Sequence, residues 1–339
     1  MTDAHPTVQI GCGDRGQVHA RALRDSDRFA VRAVCDLDES KARDTADEFG
    51  VPRVYTDLDA AVEREDPAHV TLVTPATARS DVIGAVLAHD PDSLLFEKPV
   101  ATTHEEVSDI ADLVEASDAR VTVCHQHIYG DEIATLAEWI DEDRLGEVER
   151  LVGSTKFGVY EHGTHFVHAL NWLLDGSPET VRAYAEWGGH PFFDDWHAEV
   201  EPSDALLELA YPGGAQAVVH MGTDAPDVPV QADKPWLQYR LDATGTEGHG
   251  QFVLGSHASA RYGGGPEGGV GGFDRVAVPG FDPEGSSTGE LYDVLADCLD
   301  GERDDHPSDF ASALATHRVV EAALRSAERS EAVAVDDVP

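Results

Sequence analysis

The sequence predicts two consecutive α/β domains: a doubly wound parallel sheet, followed by an α+β domain on a largely antiparallel, open-faced sheet. Three observations carry this. Between Thr7 and Cys124 short β-branched runs alternate with amphipathic helical ones. After Tyr129 long strands predominate. The 339 residues exceed what one core ordinarily holds. The boundary falls between residues 124 and 125, giving a domain of 1–124 and one of 125–339, with the C-terminal helix expected to pack back toward the first.

The first domain reads in order as "TVQIG", "VHARALRDS", "FAVRAVCD", "ESKARDTADEFG", "HVTLVTP", "DVIGAVLAHD", "SLLFEKP", "HEEVSDIADLVEAS" and "RVTVCHQ". Such βα alternation requires a parallel sheet with helices on both faces, joined by right-handed crossovers. Ligands of that architecture bind at the carboxyl ends of the strands. Beyond it come a helix from Asp131 to about Arg144, a strand around Glu147 to Phe157 and a helix around Thr164 to Leu174. The strands "TVRAYAEW", "DALLELAYP", "AQAVVHMG", "WLQYRLDATG" and "GQFVL" follow, and the "YPGGA" turn signals an antiparallel hairpin. The glycine-rich "RYGGGPEGGVGGF" reads as a mobile loop with no nucleotide role. Helices around Gly289 to Asp300 and Asp309 to Arg329 close the chain, with "AVAVD" as an added edge strand. No internal repeat is visible.

The chain carries 65 acidic and 24 basic residues, a net charge of −41, and its only lysines are Lys41, Lys98, Lys156 and Lys234. The acids are dispersed through apolar-periodic segments such as "EIATLAEWIDED", so they read as solvated helix faces rather than a disordered tail. Dispersed acid with scarce lysine resembles proteins of salt-accumulating halophiles, in which molar salt screens self-repulsion. The same field excludes nucleic acid, whose phosphates need clustered Lys and Arg, and disfavours anionic membranes. Cys12, Cys35, Cys124 and Cys298 are widely separated and read as reduced core thiols. The first residues show no basic-then-apolar leader, and no run of about 18 apolar residues occurs, so a cytoplasmic location is expected.

Chemistry concentrates first in "VQIGCGDRGQVHARAL", where Gly11, Gly13 and Gly16 form a Gly-x-Gly-x-x-Gly pattern at a strand-to-helix junction. Gly11 permits the turn, Gly13 lets the backbone approach a pyrophosphate, and Gly16 lets helix and strand pack closely. Cys12, Asp14 and Arg15 complete that loop. Asp36 ends the second strand, where its carboxylate would accept from the adenosine ribose hydroxyls and repel a 2'-phosphate, favouring NAD over NADP. Arg15 and Lys41 remain able to neutralise a phosphate. Thr74 and Pro75 follow the fourth strand, and an apolar strand later runs straight into Glu97, Lys98 and Pro99; with the glycines and Asp36, the candidate cofactor contacts are Cys12, Asp14, Arg15, Thr74, Pro75, Glu97 and Lys98. Pro99 biases Lys98 toward extended backbone. A lysine there, in a chain nearly devoid of lysine, stands where nicotinamide and substrate must meet.

With these residues in place the sequence resembles the Gfo/Idh/MocA family of oxidoreductases (glucose-fructose oxidoreductase, inositol dehydrogenase, rhizopine catabolism). The resemblance is carried by "GCGDRGQVHA", "VYTDLDAAV", "TLVTPAT", "EKPVATTHEE", "RLGEVERL", "GTHFVHALNWLLDG" and "HPSDFASALATHRVVEAALRSAE", in that order. It implies a Rossmann domain, a second sheet domain that often mediates dimers or tetramers, and a nicotinamide ring near the lysine of Glu-Lys-Pro. It also implies a histidine on a helix of the second domain, which His165 matches. Two positions depart: the acid four residues before that histidine is Glu161 rather than aspartate, and His168 replaces an acid three residues after it. "VCHQHIYGD" differs too, with His127 and Tyr129 where many relatives carry arginine and an aromatic residue.

The expected reaction is hydride transfer between NAD and a hydroxyl carbon of a polyol, cyclitol, aldose or sugar derivative. His165 is the candidate base, Lys98 the hydrogen-bond donor to the reacting oxygen, and Glu161 an orienting partner. His127, Tyr129, Tyr160, Glu161, His165 and Lys98 are the candidate substrate contacts; the roles of His125, His162 and His168 stay open. A metal site at His162, His165 and His168 is disfavoured, because helical steps of three put the first and third roughly 120° apart. Two alternatives stand beside the dehydrogenase: an enzyme that retains NAD and oxidises transiently to cleave a glycoside, and a non-catalytic nucleotide-binding sensor. The expected assembly is a homodimer or homotetramer.

Overall fold

The computed structural model describes residues 4–188, 202–229, 238–263, 271–277 and 286–338. The chain divides into two compact units, Met1–Gln126 with Glu284–Ala313, and His127–Pro283 with Leu314–Pro339.

The first unit holds six parallel strands: β1 (His5–Ile10), β2 (Phe29–Cys35), β3 (Arg53–Tyr55), β4 (His69–Leu72), β5 (Ser93–Glu97) and β6 (Arg120–Cys124), in the order β3-β2-β1-β4-β5-β6. Its helices are α1 (Asp14–Asp25), α2 (Glu39–Phe49), α3 (Leu58–Glu65), α4 (Arg79–Leu87) and α5 (His104–Glu115). Every residue of β4 and β5 is buried, as expected for central strands covered on both faces. Side chains cap the starts of α2 and α3: Asp38 accepts from the Ser40 amide at 2.9 Å and Asp57 from that of Ala60 at 2.8 Å. Strand order reverses between β1 and β4, so the crevice for a ligand opens beyond their carboxyl ends.

The second unit contains α6 (Asp131–Asp141), β7 (Val148–Thr155), α7 (Thr164–Leu173), β8 (Thr180–Glu186), β9 (Asp204–Ala210), β10 (Gln216–Gly222), β11 (Tyr239–Gly245), β12 (Gly248–Val253), β13 (His257–Tyr262) and β14 (Gly272–Ala277). Near the C-terminus come α8 (Ser286–Leu299), α9 (Phe310–Arg329) and β15 (Val333–Ala334). The nine-stranded sheet runs β14-β13-β12-β11-β7-β10-β9-β8-β15. Its neighbours are antiparallel except for β7 and β10. In β8, Val181 and Ala183 are buried while Thr180, Arg182 and Tyr184 are exposed, the alternation of a sheet with one covered face. The covered face packs with α6, α7 and α9 through Leu136, Phe166, Leu170, Leu207, Val219 and Val319. The "AVAVD" segment supplies the edge strand β15, paired with β8.

The single boundary at 124/125 needs correction. Residues 284–313 belong to the first unit, where α8 packs against α1. Tyr292 of α8 hydrogen-bonds His19 and Thr71, and Arg28 pairs with Asp297 at 3.0 Å. The Ser308 carbonyl accepts from the Val123 amide at the end of the sheet. These partners are long-range, so local periodicity could not assign the helix to a domain. The glycine-rich tract joins paired strands β13 and β14; residues 264–270, on which the expected loop falls, lie outside the described residues.

Candidate functional site

The glycine turn is over-determined by close backbone approach. Gly11 has φ of +97°, and a Cβ there would stand 2.1 Å from the Val73 carbonyl oxygen. Gly16 faces the Gly11 carbonyl, which a Cβ would meet at 2.4 Å, and the Gln9 side chain donates to both the Gly11 and Gly16 carbonyls at 2.9 Å. Gly11→Ala is therefore expected to lower stability by about 3 kcal/mol or more, from left-handed strain plus the clash; urea unfolding at fixed salt measures it. Gly13 differs in kind. It caps α1 with no side-chain hydrogen bond, and a Cβ there would meet nothing within 4 Å. The first turn of α1 thus presents backbone donors to open space, the arrangement that accommodates a pyrophosphate.

Asp36 follows β2 and braces this loop: one carboxylate oxygen accepts from the Cys12 amide at 2.8 Å and the other from the Asp38 amide at 2.9 Å. Each oxygen keeps a lone pair for a further donor. Asp14 is exposed, and Thr74 and Pro75 lie in the loop after β4, across the strand reversal from Gly11. Leu37, beside Asp36, is 94% exposed, an apolar surface at the ribose end that no sequence pattern singled out. The Cys12 thiol is inert, raised by burial to about 11.

Arg15, expected to be able to neutralise a phosphate, is engaged from within its own domain: Nε and a terminal nitrogen both meet Glu97 Oε1, at 2.8 and 2.7 Å, with the side chain 40% exposed. His19 Nε2 reaches the same oxygen at 2.9 Å. Burial opposes ionisation of Glu97, yet Arg15 and the His19 hydrogen bond outweigh it and hold the carboxyl well below the usual carboxylate range. Glu97, expected at the cofactor, is thus buried and anchored within its own domain. His19, Glu97 and Cys124 are grouped closely enough to suggest a metal. Arg15 already supplies the cation there, with a terminal nitrogen 4.0 Å from Cys124 Sγ.

Behind Glu97 runs a buried chain of hydrogen bonds. His19 Nδ1 meets the Tyr292 hydroxyl at 2.8 Å, Tyr292 meets Thr71 Oγ1 at 2.9 Å, Thr71 meets His69 Nε2 at 2.9 Å, and His69 Nδ1 meets Ser93 Oγ at 2.7 Å. Burial holds His19 below its ordinary value and His69 down to about 3, so both are neutral. Neutral rings admit one consistent assignment, in which each donor points toward Glu97 and polarises the next. Within the buried run Ser93–Val100, Lys98 alone is only half-buried.

The second unit gathers its candidates around α7. His165 is 2% exposed and stacks on His127, with centroids 3.9 Å apart and planes at 16°. His162 stands edge-on to His127 at 5.3 Å, stacks on Phe157 at 4.3 Å and pairs Nδ1 with Thr155 Oγ1 at 3.1 Å. Tyr239 closes the group, edge-on to His127 at 5.2 Å. The angular argument about His162, His165 and His168 assumed one regular helix. Residues Val159–Gly163 instead form a π-helical turn ahead of α7, a distortion common at functional sites, and the His162 and His165 centroids lie 6.2 Å apart. Glu161 is half-buried in that turn, Tyr129 packs beside the core, and Tyr160 lies in it near His317. His168 is 2% exposed, as is His125 of the first unit. Sequence reasoning named His127 and His165 separately; their stacking joins positions 38 residues apart that no local motif links.

Residues 7–125 match the family model described as oxidoreductase family, NAD-binding Rossmann fold. The first domain is a Gfo/Idh/MocA Rossmann domain. Among curated relatives, the chain is 31% identical to D-apiose dehydrogenase of Paraburkholderia graminis over 94 residues, 28% of the chain and 25% of the relative. The chain therefore spans about a quarter of that relative's length. It is 24% identical to D-xylose 1-dehydrogenase (NADP(+)) 2 of Haloferax volcanii over 90% of the chain and 91% of the relative. An oxidoreductase of Agrobacterium radiobacter, solved with NAD+, L-tartaric acid and magnesium, shares the fold: TM-score 0.84 at 19% identity, over 99% of both chains. Among the described residues no helix is long and apolar enough to cross a membrane.

Proposed function

We propose that the protein is an NAD-dependent dehydrogenase that oxidises a CH–OH carbon of a polyol, cyclitol, aldose or related sugar derivative. The observation that carries this is Lys98: a half-buried lysine at the carboxyl end of β5, in an NAD-binding domain whose flanking residues are all buried. When bound, NAD accepts a hydride at its nicotinamide C4. The open first turn of α1 holds the pyrophosphate, and Asp36 accepts from the ribose hydroxyls.

Lys98 donates a hydrogen bond to the substrate hydroxyl oxygen and stabilises the negative charge that builds there. His165 takes the hydroxyl proton at an imidazole nitrogen, so that C–H and O–H bonds break and a C=O bond forms. His127 stacks behind His165 and restricts its ring; Glu161, Tyr129 and Tyr160 are proposed to orient the base or contact the sugar. The assembly is proposed to be a homodimer or homotetramer, and the acidic surface an adaptation to molar salt in the cytoplasm.

The test is nicotinamide absorbance in molar KCl with polyols and aldoses and either cofactor. Reduction with one substrate group supports the reading. Silence across the panel, with NAD binding demonstrated by calorimetry, would sink it. Arg15 is engaged by Glu97, so Asp36 should dominate the cofactor choice. Asp36→Asn, which can keep one contact to the loop while losing the charge, is expected to raise the NADP-to-NAD ratio of kcat/KM about 10-fold, roughly the 1.4 kcal/mol of one removed repulsion. An unchanged ratio would remove Asp36 from cofactor selection.

A further inference from the structure

Arg79 is the largest fully buried side chain among the described residues, 1% exposed at the start of α4. Among the described residues its guanidinium meets no carboxylate. One terminal nitrogen donates to the carbonyl of Pro99 and, at 3.5 Å, to that of Val100; the other donates to the carbonyl of Thr74 at 2.9 Å. The Phe96 ring lies 5.6 Å from the guanidinium carbon, and Nε is buried with no hydrogen-bond partner. Glu106 accepts from the Arg79 backbone amide at 3.1 Å rather than from the side chain. Burial pulls the guanidinium down to about 10, with Glu97 and Glu106 opposing the shift, so it remains a cation at neutral pH.

Removing a charge from water without a counter-ion in contact costs several kcal/mol, and an apolar side chain of that volume is usually cheaper. The Phe96 ring and the more distant Glu97 and Glu106 offset part of that cost; the direct hydrogen bonds all go to three carbonyls, and their placement is informative. Thr74 is in the loop after β4, which includes Pro75 and faces the glycine turn. Pro99 and Val100 directly follow Lys98. β4 and β5 are neighbours, with Leu72 opposite Phe96, so one guanidinium ties the two loops at their exits from the sheet. On the other side of Lys98, Glu97 is already fixed by Arg15 and His19. The lysine is thus presented between two anchored neighbours.

We propose that Arg79 is a positioning residue: by tying the loop after β4 to the loop after β5, it sets where Lys98 stands relative to the bound cofactor. The consequence for catalysis rests on the dehydrogenase reading; the consequence for Lys98 itself does not. The natural chain has four lysines, so reductive methylation with 13C gives four lysine methyl signals, and the one absent from Lys98→Arg is Lys98. In Arg79→Met the Lys98 signal moves toward that of an exposed lysine while those of Lys41, Lys156 and Lys234 stay in place. On the unmethylated enzyme, kcat falls about 10- to 100-fold, the loss expected for a misplaced group, and the dissociation constant for NAD stays within about 2-fold. Arg79→Lys, which keeps the charge but reaches fewer carbonyls, recovers part of kcat. A role in stability alone would lower the unfolding midpoint and leave the Lys98 signal and kcat of the folded fraction native, which overturns the proposal. Should Arg79→Met not fold, Arg79→Gln, able to serve only part of the carbonyl set, carries the same test, and a native Lys98 signal there overturns it equally. If the wild type reduces no cofactor with any substrate, the dehydrogenase reading fails, while the position of the Lys98 signal still decides the role of Arg79.

Discussion

Replacing Lys98 by alanine is expected to lower kcat/KM about 10³-fold, mostly through kcat, while NAD affinity changes little. Removing one preorganised donor to a developing oxyanion typically costs about 10²–10³ in rate, and loss of the half-buried stem adds to it. Lys98→Met separates the contributions, because it restores the chain length without the donor and should remain within about 10-fold of the alanine variant. His165→Ala is expected to cost about 10²–10⁴-fold, the usual range for a positioned base. If both residues act on one oxygen, the double variant loses far less than the product of the single losses. Steady-state kinetics on the four proteins settle this. Multiplicative losses would mean that Lys98 and His165 do not share a reacting group, and a fully active Lys98→Ala would remove the lysine from the chemistry.

The sequence revealed those features that a local stretch of chain must satisfy by itself. β4 and β5 are buried on both faces, which demands unbroken apolar or β-branched runs such as "HVTL" and "SLLFE". Gly11 and Gly16 are forced by carbonyls within 2.5 Å of any Cβ, so the motif carries its own geometry. Pairings across long sequence separations were not legible. Arg15 reads as a phosphate ligand from its place in the glycine loop, and only the fold brings Glu97 against it. The parallel pairing of β10 with β7 inside an antiparallel sheet escapes any hairpin rule, since turn residues report only consecutive strands. Arg79 in "PATARS" looks like an ordinary loop cation; its burial depends on Phe96 and the Lys98 loop closing over it.

The same buried chain that fixes Glu97 should make the first domain sensitive to acid. His69 is held down to about 3 and His306 to about 4, both by burial, against an ordinary 6.5. A depressed folded-state value means that the unfolded chain takes up protons first. Stability is therefore complete above about pH 6.5 and declines as pH falls toward the folded values, at up to about 1.4 kcal/mol per pH unit for each histidine. At pH 5 the two together should have removed about 4 kcal/mol, a large part of the 5–15 kcal/mol typical of a domain. Glu97, also held low, acts in the same direction but only below its ordinary 4.5. The surface carboxylates, whose repulsion would ease on protonation, scarcely titrate between pH 7.5 and 5, so they do not mask the effect. The unfolding midpoint at constant molar KCl should fall by about 10 °C across that range. His69→Gln can accept from Ser93 and donate to Thr71, as the neutral ring does, but cannot gain a proton. It should lose the share of that pH dependence due to His69, about 2 kcal/mol between pH 6.5 and 5, even if its midpoint at pH 7.5 is lower. An equal slope in the variant would mean that His69 titrates in the folded state, and the one-way hydrogen-bond chain toward Glu97 would then have to be reassigned.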